Sequence, residues 1–330
     1  MKREDFLRKP VVPMKLTPRM SVNRLIQEFS NSGCFGAGRV SSACDIFERM
    51  VRDEQCTIFL AIAGAMVPAG LRAIIADLIR RKLIDVVVST GANMVHDLVE
   101  ALGGHHYKGH WSVDDFLLYK YHIFRIYDVF VPEEDFVKAD KAIMDMFDEI
   151  AKENEGHNFS SCELMWEIGS RLNDPKSVLR AAYEAKVPVF LPAIRDSEFA
   201  FMYRVHSKRH PAGDFLKVDT FKGVSEIVNI AERSPRLGMV VLGGGVPRNT
   251  VQHAALMAEK GLDYAVVITM DRPETGGLSG STLRETVSWG KVKRKADKTM
   301  VIGDALIVFP VMVAAVLERL GDKFERRGLG

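Results

Sequence analysis

The sequence predicts an α/β protein built on a doubly wound, Rossmann-like parallel sheet with helices on both faces. Three observations predict this fold class. Short β-branched or apolar runs recur along the chain, each run leads into a turn, and a helical period follows most of the turns. Strands that are apolar on both faces are typical of a parallel sheet covered by helices on both sides.

Six runs fit this pattern well enough to be predicted as strands. The first two end at Gly64 and Gly91, and each is followed by a helical period. The helix near 175–185 is predicted to begin with Asp174 as its N-cap and Pro175 in its first turn. The six predicted strands lie at 56–63, 85–90, 187–191, 238–242, 264–269 and 299–302.

The chain reads as a single large domain preceded by an arm. Residues 1–20 are polar and rich in proline, which predicts an extended N-terminal arm. Residues 21–330 form the predicted domain, and the stretch at about 105–170, which has more aromatic and charged residues, reads as an insertion within it.

Composition excludes several classes of protein. The 45 basic and 43 acidic residues give a formal net charge of +2, which argues against nucleic-acid binding by bulk charge. The longest apolar stretch, 305–317, is too short to cross a bilayer, so we expect a cytoplasmic protein without membrane contact. The four cysteines form no CxxC pair, and no histidine lies at ligand spacing from one, so no metal site is expected.

The carboxyl ends of the predicted strands carry glycine, threonine and aspartate. Ligands of open parallel sheets bind at these ends, and backbone N–H groups of a glycine turn before a helix can approach a phosphate. The glycine run 243–245 lacks the GxGxxG pattern, so a simple tight turn is an equally good interpretation. The candidate cofactor-binding residues are Gly64, Ala65, Thr90, Gly91, Asp196, Gly243, Gly244, Gly245, Thr269, Gly303 and Asp304.

A second dense segment, 276–291, ends in Ser288-Trp289-Gly290-Lys291. Glu285 and Trp289 lie four residues apart, so on a helix they share a face that suits an alkylammonium group. Lys291 could form a Schiff base if burial lowers its pKa. On local pattern alone, a solvated lysine at the start of the basic run 291–295 is the better interpretation.

The order of several segments along the chain favours the Schiff-base interpretation of Lys291 over the solvated lysine. With SWGK at 288–291, the chain from about residue 20 to 320 resembles the deoxyhypusine synthase family, and in particular its deoxyhypusine-synthase-like branch. The segments that carry the resemblance lie at 35–39, 85–90, 186–193, 242–246, 263–266 and 304–310.

The resemblance implies a chemistry and a set of partners. Family members bind NAD, work as homotetramers with sites at subunit interfaces, and move the aminobutyl part of spermidine to an enzyme lysine as an imine. The acceptor is a lysine of the hypusine-carrying translation factor or, in relatives, putrescine. Lys291 matches the imine-forming lysine, and Glu285 and Trp289 match residues that hold the polyamine.

The chain also departs from the family pattern. Asn249 stands where a histidine is thought to accept a proton, with His253 one helical turn later. His96 replaces an acid, Phe201 replaces an expected aspartate, and Asp128 replaces a usual asparagine; we assign His96 and Asp128 to substrate binding. These departures leave two alternatives open: a homospermidine-type synthase, and an NAD-binding homologue that has lost catalysis.

Overall fold

The computed structural model describes residues 2–210, 213 and 215–328; the ends of the predicted arm and domain, 1 and 329–330, lie outside this part, as do 211, 212 and 214. The strands are β1 (Cys56–Ile62), β2 (Val86–Ser89), β3 (Tyr107–Lys108), β4 (Ile123–Ile126), β5 (Val129–Pro132), β6 (Asn158–Phe159), β7 (Val189–Phe190), β8 (Lys217–Val218), β9 (Arg236–Leu242), β10 (Leu262–Thr269) and β11 (Val292–Ile302).

The helices alternate with these strands along most of the chain. They are α1 (Arg3–Phe6), α2 (Val22–Ser32), α3 (Phe35–Arg52), α4 (Arg72–Arg80), α5 (Gly91–Ala101), α6 (Asp115–Lys120), α7 (Glu133–Glu153), α8 (Ser161–Ser170), α9 (Val178–Ala185), α10 (Glu198–Arg209), α11 (Lys222–Arg233), α12 (Gly245–Met257), α13 (Leu283–Ser288) and α14 (Ala305–Leu320). Within the described ranges, no helix is both long and apolar enough to cross a membrane.

The central sheet contains all six predicted strands, in the order β11-β10-β9-β1-β2-β7, and every pair in it is parallel. The chain moves outward from β1 to β7, returns to β9 beside β1, and then continues outward to β11. The topological switch point therefore lies between β1 and β9, where Ile62 pairs with Leu242 at the carboxyl ends of the strands. Ligands of open parallel sheets bind at such a point.

Both faces of the sheet are buried, because successive side chains of each strand point to opposite sides. In β1, Leu60 packs into a core with α3, α4, α5, α9 and α14, whereas Phe59 and Ala61 pack into a second core with α11, α12 and α13. This arrangement confirms the predicted fold class. It also separates the helices into two groups that do not share a face of the sheet.

The middle stretch forms an insertion on the α5 side. Its antiparallel strands, in the order β3-β5-β4, pack on α5 and α7 through Val99, Val131 and Ala139. The N-terminal arm contains the short helix α1, which the extended prediction did not include, and Val12 N–H donates to Asn31 at the end of α2.

The predicted start of the helix at 175–185 is wrong. Helix α9 begins after Ser177, whose side chain accepts from the Arg180 N–H, and Asp174 is instead paired with Arg72 at 2.7 Å. The first N–H groups of α9 donate to the buried Asp97 carboxylate, 81 residues earlier in the chain. A residue so distant in sequence could not be anticipated from the local capping pattern.

Candidate active site

A glycine turn lies at the switch point between β1 and β9. Gly243, Gly244 and Gly245 have φ values of 79°, 146° and 59°, and Gly64 across the switch point has φ 80°. A side chain on Gly243 would place its Cβ only 2.8 Å from the Ala63 carbonyl oxygen. Glycine is therefore required here both for the positive φ and for the close approach of the two strand ends.

The remaining predicted cofactor residues lie along the same carboxyl edge. Thr90 and Gly91 open α5, with Thr90 at the N-cap position, and Ala65 follows Gly64 in the turn after β1. Asp196 is exposed in the turn after β7. Register pairs β10 and β11 up to Thr269 and Ile302, and the N–H of the next residue, Gly303, donates to the Thr269 carbonyl.

This edge has features that suit a phosphate-bearing cofactor. Helices α5, α12 and α14 all begin here, and helix N-termini favour negative charge. Helix α12 starts directly from the glycine turn, so Gly244 and Gly245 place no side chain of their own before its first backbone N–H groups. Asp304 caps α14 by accepting from the Leu306 N–H at 2.8 Å. The residues of the edge therefore fit a dinucleotide, with Asp196 and Asp304 as candidate partners of ribose hydroxyls.

The SWGK segment is a helix end that turns directly into a strand. Helix α13 ends at Ser288, Trp289 is its C-cap residue, and Gly290 adopts the left-handed conformation with φ 73°. Glycine is the usual residue at this position because a Cβ is strained there. The N–H of Lys291 donates to the Thr286 carbonyl at 3.1 Å, and β11 begins at the next residue.

Lys291 is buried, with only 8% of its surface exposed. Its Nζ donates to Asn249 Oδ1 at 2.9 Å and lies 5.4 Å from the centre of the Trp289 ring. Burial lowers the pKa of Lys291, the positive charge of Arg248 lowers it further, and the negative charge of Glu285 opposes both. The interpretation of Lys291 as a solvated surface lysine is therefore wrong.

The groups around Lys291 come from two adjacent helices. Asn249 and His253 lie one turn apart on α12, so they face the same side. Burial and the positive charge of Lys291 lower the pKa of His253. On α13, the Thr282 hydroxyl caps the helix by accepting from the Glu285 N–H at 3.1 Å. The structure thus brings together an amine, an amide, an imidazole, a carboxylate and an indole.

Two of the predicted substrate residues lie elsewhere in the chain. His96 is on α5, on the other face of the sheet, where its Nδ1 lies 2.9 Å from His106 Nε2. Asp128 is exposed in the turn between β4 and β5. Among the described residues, no hydrogen bond or ion pair joins either side chain to Lys291. Their role in substrate binding stays a prediction.

The sequence analysis missed Arg248. Its side chain is fully buried on α12 beside Asn249, and it contacts the backbone of the segment before α13. The helical period held a signal, because residue 248 falls on the same face as the core residues Val251 and Ala255. An arginine on the apolar face of a helix is uncommon and indicates a specific set of partners.

Comparison with known proteins gives a consistent family match. The family model of deoxyhypusine synthase matches residues 24–316. A protein named "Probable deoxyhypusine synthase 1" from Methanosarcina acetivorans is 44% identical over 315 residues, covering 95% of this chain and 96% of the relative. Its namesake from Archaeoglobus fulgidus is 39% identical over 303 residues, covering 92% and 96%.

A solved structure shares the fold. The crystal structure of a "putative deoxyhypusine synthase" from Entamoeba histolytica superposes with a TM-score of 0.66 at 20% identity, over 92% of this chain and 96% of that one. The matched range confirms the resemblance that the sequence segments indicated. The chain belongs to the deoxyhypusine synthase family.

Proposed function

We propose that this protein is an NAD-dependent aminobutyl transferase that acts on spermidine through an imine on Lys291. Membership of the family supports an enzyme that transfers aminobutyl groups. The observation that carries the assignment of Lys291 is its environment: a buried amine, held by the Asn249 amide, whose pKa is lowered. A neutral amine is the nucleophilic form that imine formation requires.

The proposed reaction assigns a step to each part of this arrangement. NAD, when bound at the carboxyl edge, supplies the acceptor for the hydride on the carbon beside the secondary amine of spermidine. The neutral amine of Lys291 adds to that oxidised carbon, the carbon–nitrogen bond to the three-carbon diamine breaks, and the aminobutyl part stays on Lys291 as an imine. An acceptor amine then displaces Lys291, and the new imine would be reduced by the hydride that the bound cofactor carries.

The neighbours of Lys291 take separate parts in these steps. The Asn249 amide orients the amine but does not titrate, so we assign proton uptake to His253, whose lowered pKa keeps it unprotonated near neutral pH. Glu285 and Trp289 hold the distal ammonium group of the polyamine through charge and cation–π attraction. Imine transfer also needs a site closed to water.

The acceptor and the assembly are part of the same proposal. We assign the acceptor to a lysine of the hypusine-carrying translation factor, and we place the reaction in the cytoplasm. Three apolar side chains near the site, which we call the apolar rim, are exposed at 48%, 55% and 64%: Val246 and Met257, on the α12 face that carries Asn249 and His253, and Trp289. A second copy of the chain in a homotetramer would cover this rim and exclude water.

A homospermidine-type synthase is the second candidate. Phe201, 66% exposed on α10, stands where the family has an aspartate, so an ammonium partner is missing from that position. Product analysis with putrescine alone, and with putrescine plus the translation factor, separates the two activities. Homospermidine formed in both reactions, with an unmodified protein acceptor, would favour the second candidate.

The test of the proposed function is trapping of the imine. The protein is incubated with NAD and spermidine and reduced with borohydride, and peptides are analysed by mass spectrometry. We expect one aminobutyl group on Lys291, none in the Lys291→Arg variant, and full labelling in the control Lys295→Arg, which alters an exposed lysine nearby. An unlabelled Lys291 across a panel of polyamines would overturn the proposal and favour a homologue without catalysis.

A further inference from the structure

Arg248 is a buried charge that is held by backbone carbonyl groups. None of its surface is exposed, and no ion pair to it occurs among the described residues. Its guanidinium instead donates to three backbone carbonyls: Nη1 to Leu278 and Ser279 at 3.2 Å each, and Nη2 to Ser281 at 2.8 Å. Side-chain charges buried so completely are normally paired with an opposite charge, so a buried guanidinium held by three carbonyl oxygens is unusual.

All three carbonyls belong to the segment 278–281, which joins β10 to α13. The segment lies directly on the glycine turn, because a Cβ on Gly244 would come within 2.6 Å of Ser279. The Ser279 hydroxyl also donates to Asp271 at 2.5 Å. Arg248 thus connects α12 to a segment that is also hydrogen-bonded to Asp271, just after β10.

The segment leads at once into the lysine site. Thr282 follows it as the N-cap of α13, and that helix carries Glu285 and ends before Lys291. Because α13 has only six residues, the position of its start largely decides where its end lies. The contact between Lys291 and Asn249 across the two helices therefore depends on how firmly the segment 278–281 is held against α12.

We propose that Arg248 is a positioning residue, which holds the 278–281 segment on α12 and sets both the place and the electrostatic surroundings of the Lys291 amine. This inference rests on the proposed function of Lys291. An arginine is suited to the task because its planar fork can serve several carbonyls at once, whereas a lysine offers a single point of attachment.

The charge of Arg248 supports the second part of the proposal. Burial lowers the pKa of Arg248 to about 10, so it stays charged at neutral pH. The charged and titratable groups that act on or respond to Lys291 are Arg248 and His253 on α12 and Glu285 on α13. Of these, Glu285 and His253 are exposed to solvent, which weakens their effect, whereas the charge of Arg248 is shielded from it.

The experiment uses reductive alkylation with butanal and cyanoborohydride, followed residue by residue with peptide mass spectrometry as a function of pH. Butanal needs neither NAD nor spermidine, so the result is independent of the transferase activity. In the wild type, we expect Lys291 to react at a lower pH than the exposed Lys186. In Arg248→Met, the midpoint for Lys291 should rise by about one pH unit.

Arg248→Lys separates the positioning role of Arg248 from its electrostatic role, because lysine keeps the positive charge but lacks the planar set of guanidinium N–H donors. Its midpoint should stay close to that of the wild type, while amide hydrogen exchange in 276–283 becomes about tenfold faster or more in both variants. Arg284→Met is the matched control: it removes an exposed arginine of α13 and should change neither readout.

Two outcomes would overturn the proposal. One is a folded Arg248→Met protein whose Lys291 midpoint is unchanged, and the other is unchanged exchange in 276–283 in both variants. If Arg248→Met does not fold, Arg248→Lys still decides through hydrogen exchange. If spermidine fails to label Lys291 in the wild type while the butanal shifts occur, the transferase proposal fails and the placement of Arg248 stands.

Discussion

Two buried arginines on opposite faces of the sheet have different kinds of hydrogen-bonding partner. Arg72, at the start of α4, is paired with Asp97 at 2.6 Å, Asp174 at 2.7 Å and Glu100 at 3.4 Å. Arg248, at the start of α12, has three carbonyl oxygens as partners and no carboxylate within the described residues. The charge of Arg72 is neutralised by adjacent carboxylates, whereas the positive charge of Arg248 acts on Lys291 nearby.

The difference distinguishes a fully paired network from the candidate active site. Asp97 accepts from Arg72, from the Ser177 hydroxyl and from the first N–H groups of α9, so every charge in that network has its partner. Around Arg248, the remaining positive charge falls on Lys291 and lowers its pKa. Perturbed pKa values of this kind cluster at functional sites.

The largest effect on stability is expected when the paired network is broken. Asp97→Ala leaves the Arg72 charge buried and removes the acceptor for the start of α9, so we expect a loss of about 3–5 kcal/mol in the free energy of unfolding. The measurement is unfolding by urea, with Asp174→Ala as the control. Asp174 is partly exposed, so its loss should cost less. Equal losses for the two variants would contradict this account of the network.

A smaller effect is expected from acid, through His96. Burial first, and then the positive charge of His106, lower the pKa of His96 from 6.5 to about 4. Between pH 6.5 and 4 the unfolded chain binds more protons at this position, so stability is complete above pH 6.5 and falls as the pH decreases. The total loss is about 3 kcal/mol. Urea unfolding across this range should show a shallower decrease in His96→Gln than in the wild type.

The smallest effect is expected at Trp289, in the candidate active site. The ring lies 5.4 Å from the Lys291 amine and favours its charged form, but it is largely exposed. Trp289→Leu should therefore lower the pKa of Lys291 slightly, opposite in sign to Arg248→Met. This change in the pKa of Lys291 is measured by alkylation of Lys291 with butanal as a function of pH. A shift in the same direction for both variants would show that packing, not charge, sets the reactivity of Lys291.

The sequence was sufficient for those features that depend on neighbours in the chain. The six strands of the sheet and the glycine turn at 243–245 were predicted because apolar periodicity and glycine placement act over a few residues. It also placed Asn249 and His253 on one helical face, since residues four apart always share a side.

Only the tertiary structure decided which charges lie together. Lys291 donates to Asn249, 42 residues earlier in the chain, and Arg248 donates to the carbonyl of Ser281, 33 residues later. The N–H groups at the start of α9 donate to Asp97 and not to Asp174. His96 was separated from Lys291 because α5 and α12 cover opposite faces of the sheet. Burial and long-range contacts set the pKa of a side chain, and neither is encoded in its local sequence; the lowered pKa of Lys291 is therefore a property of the folded chain.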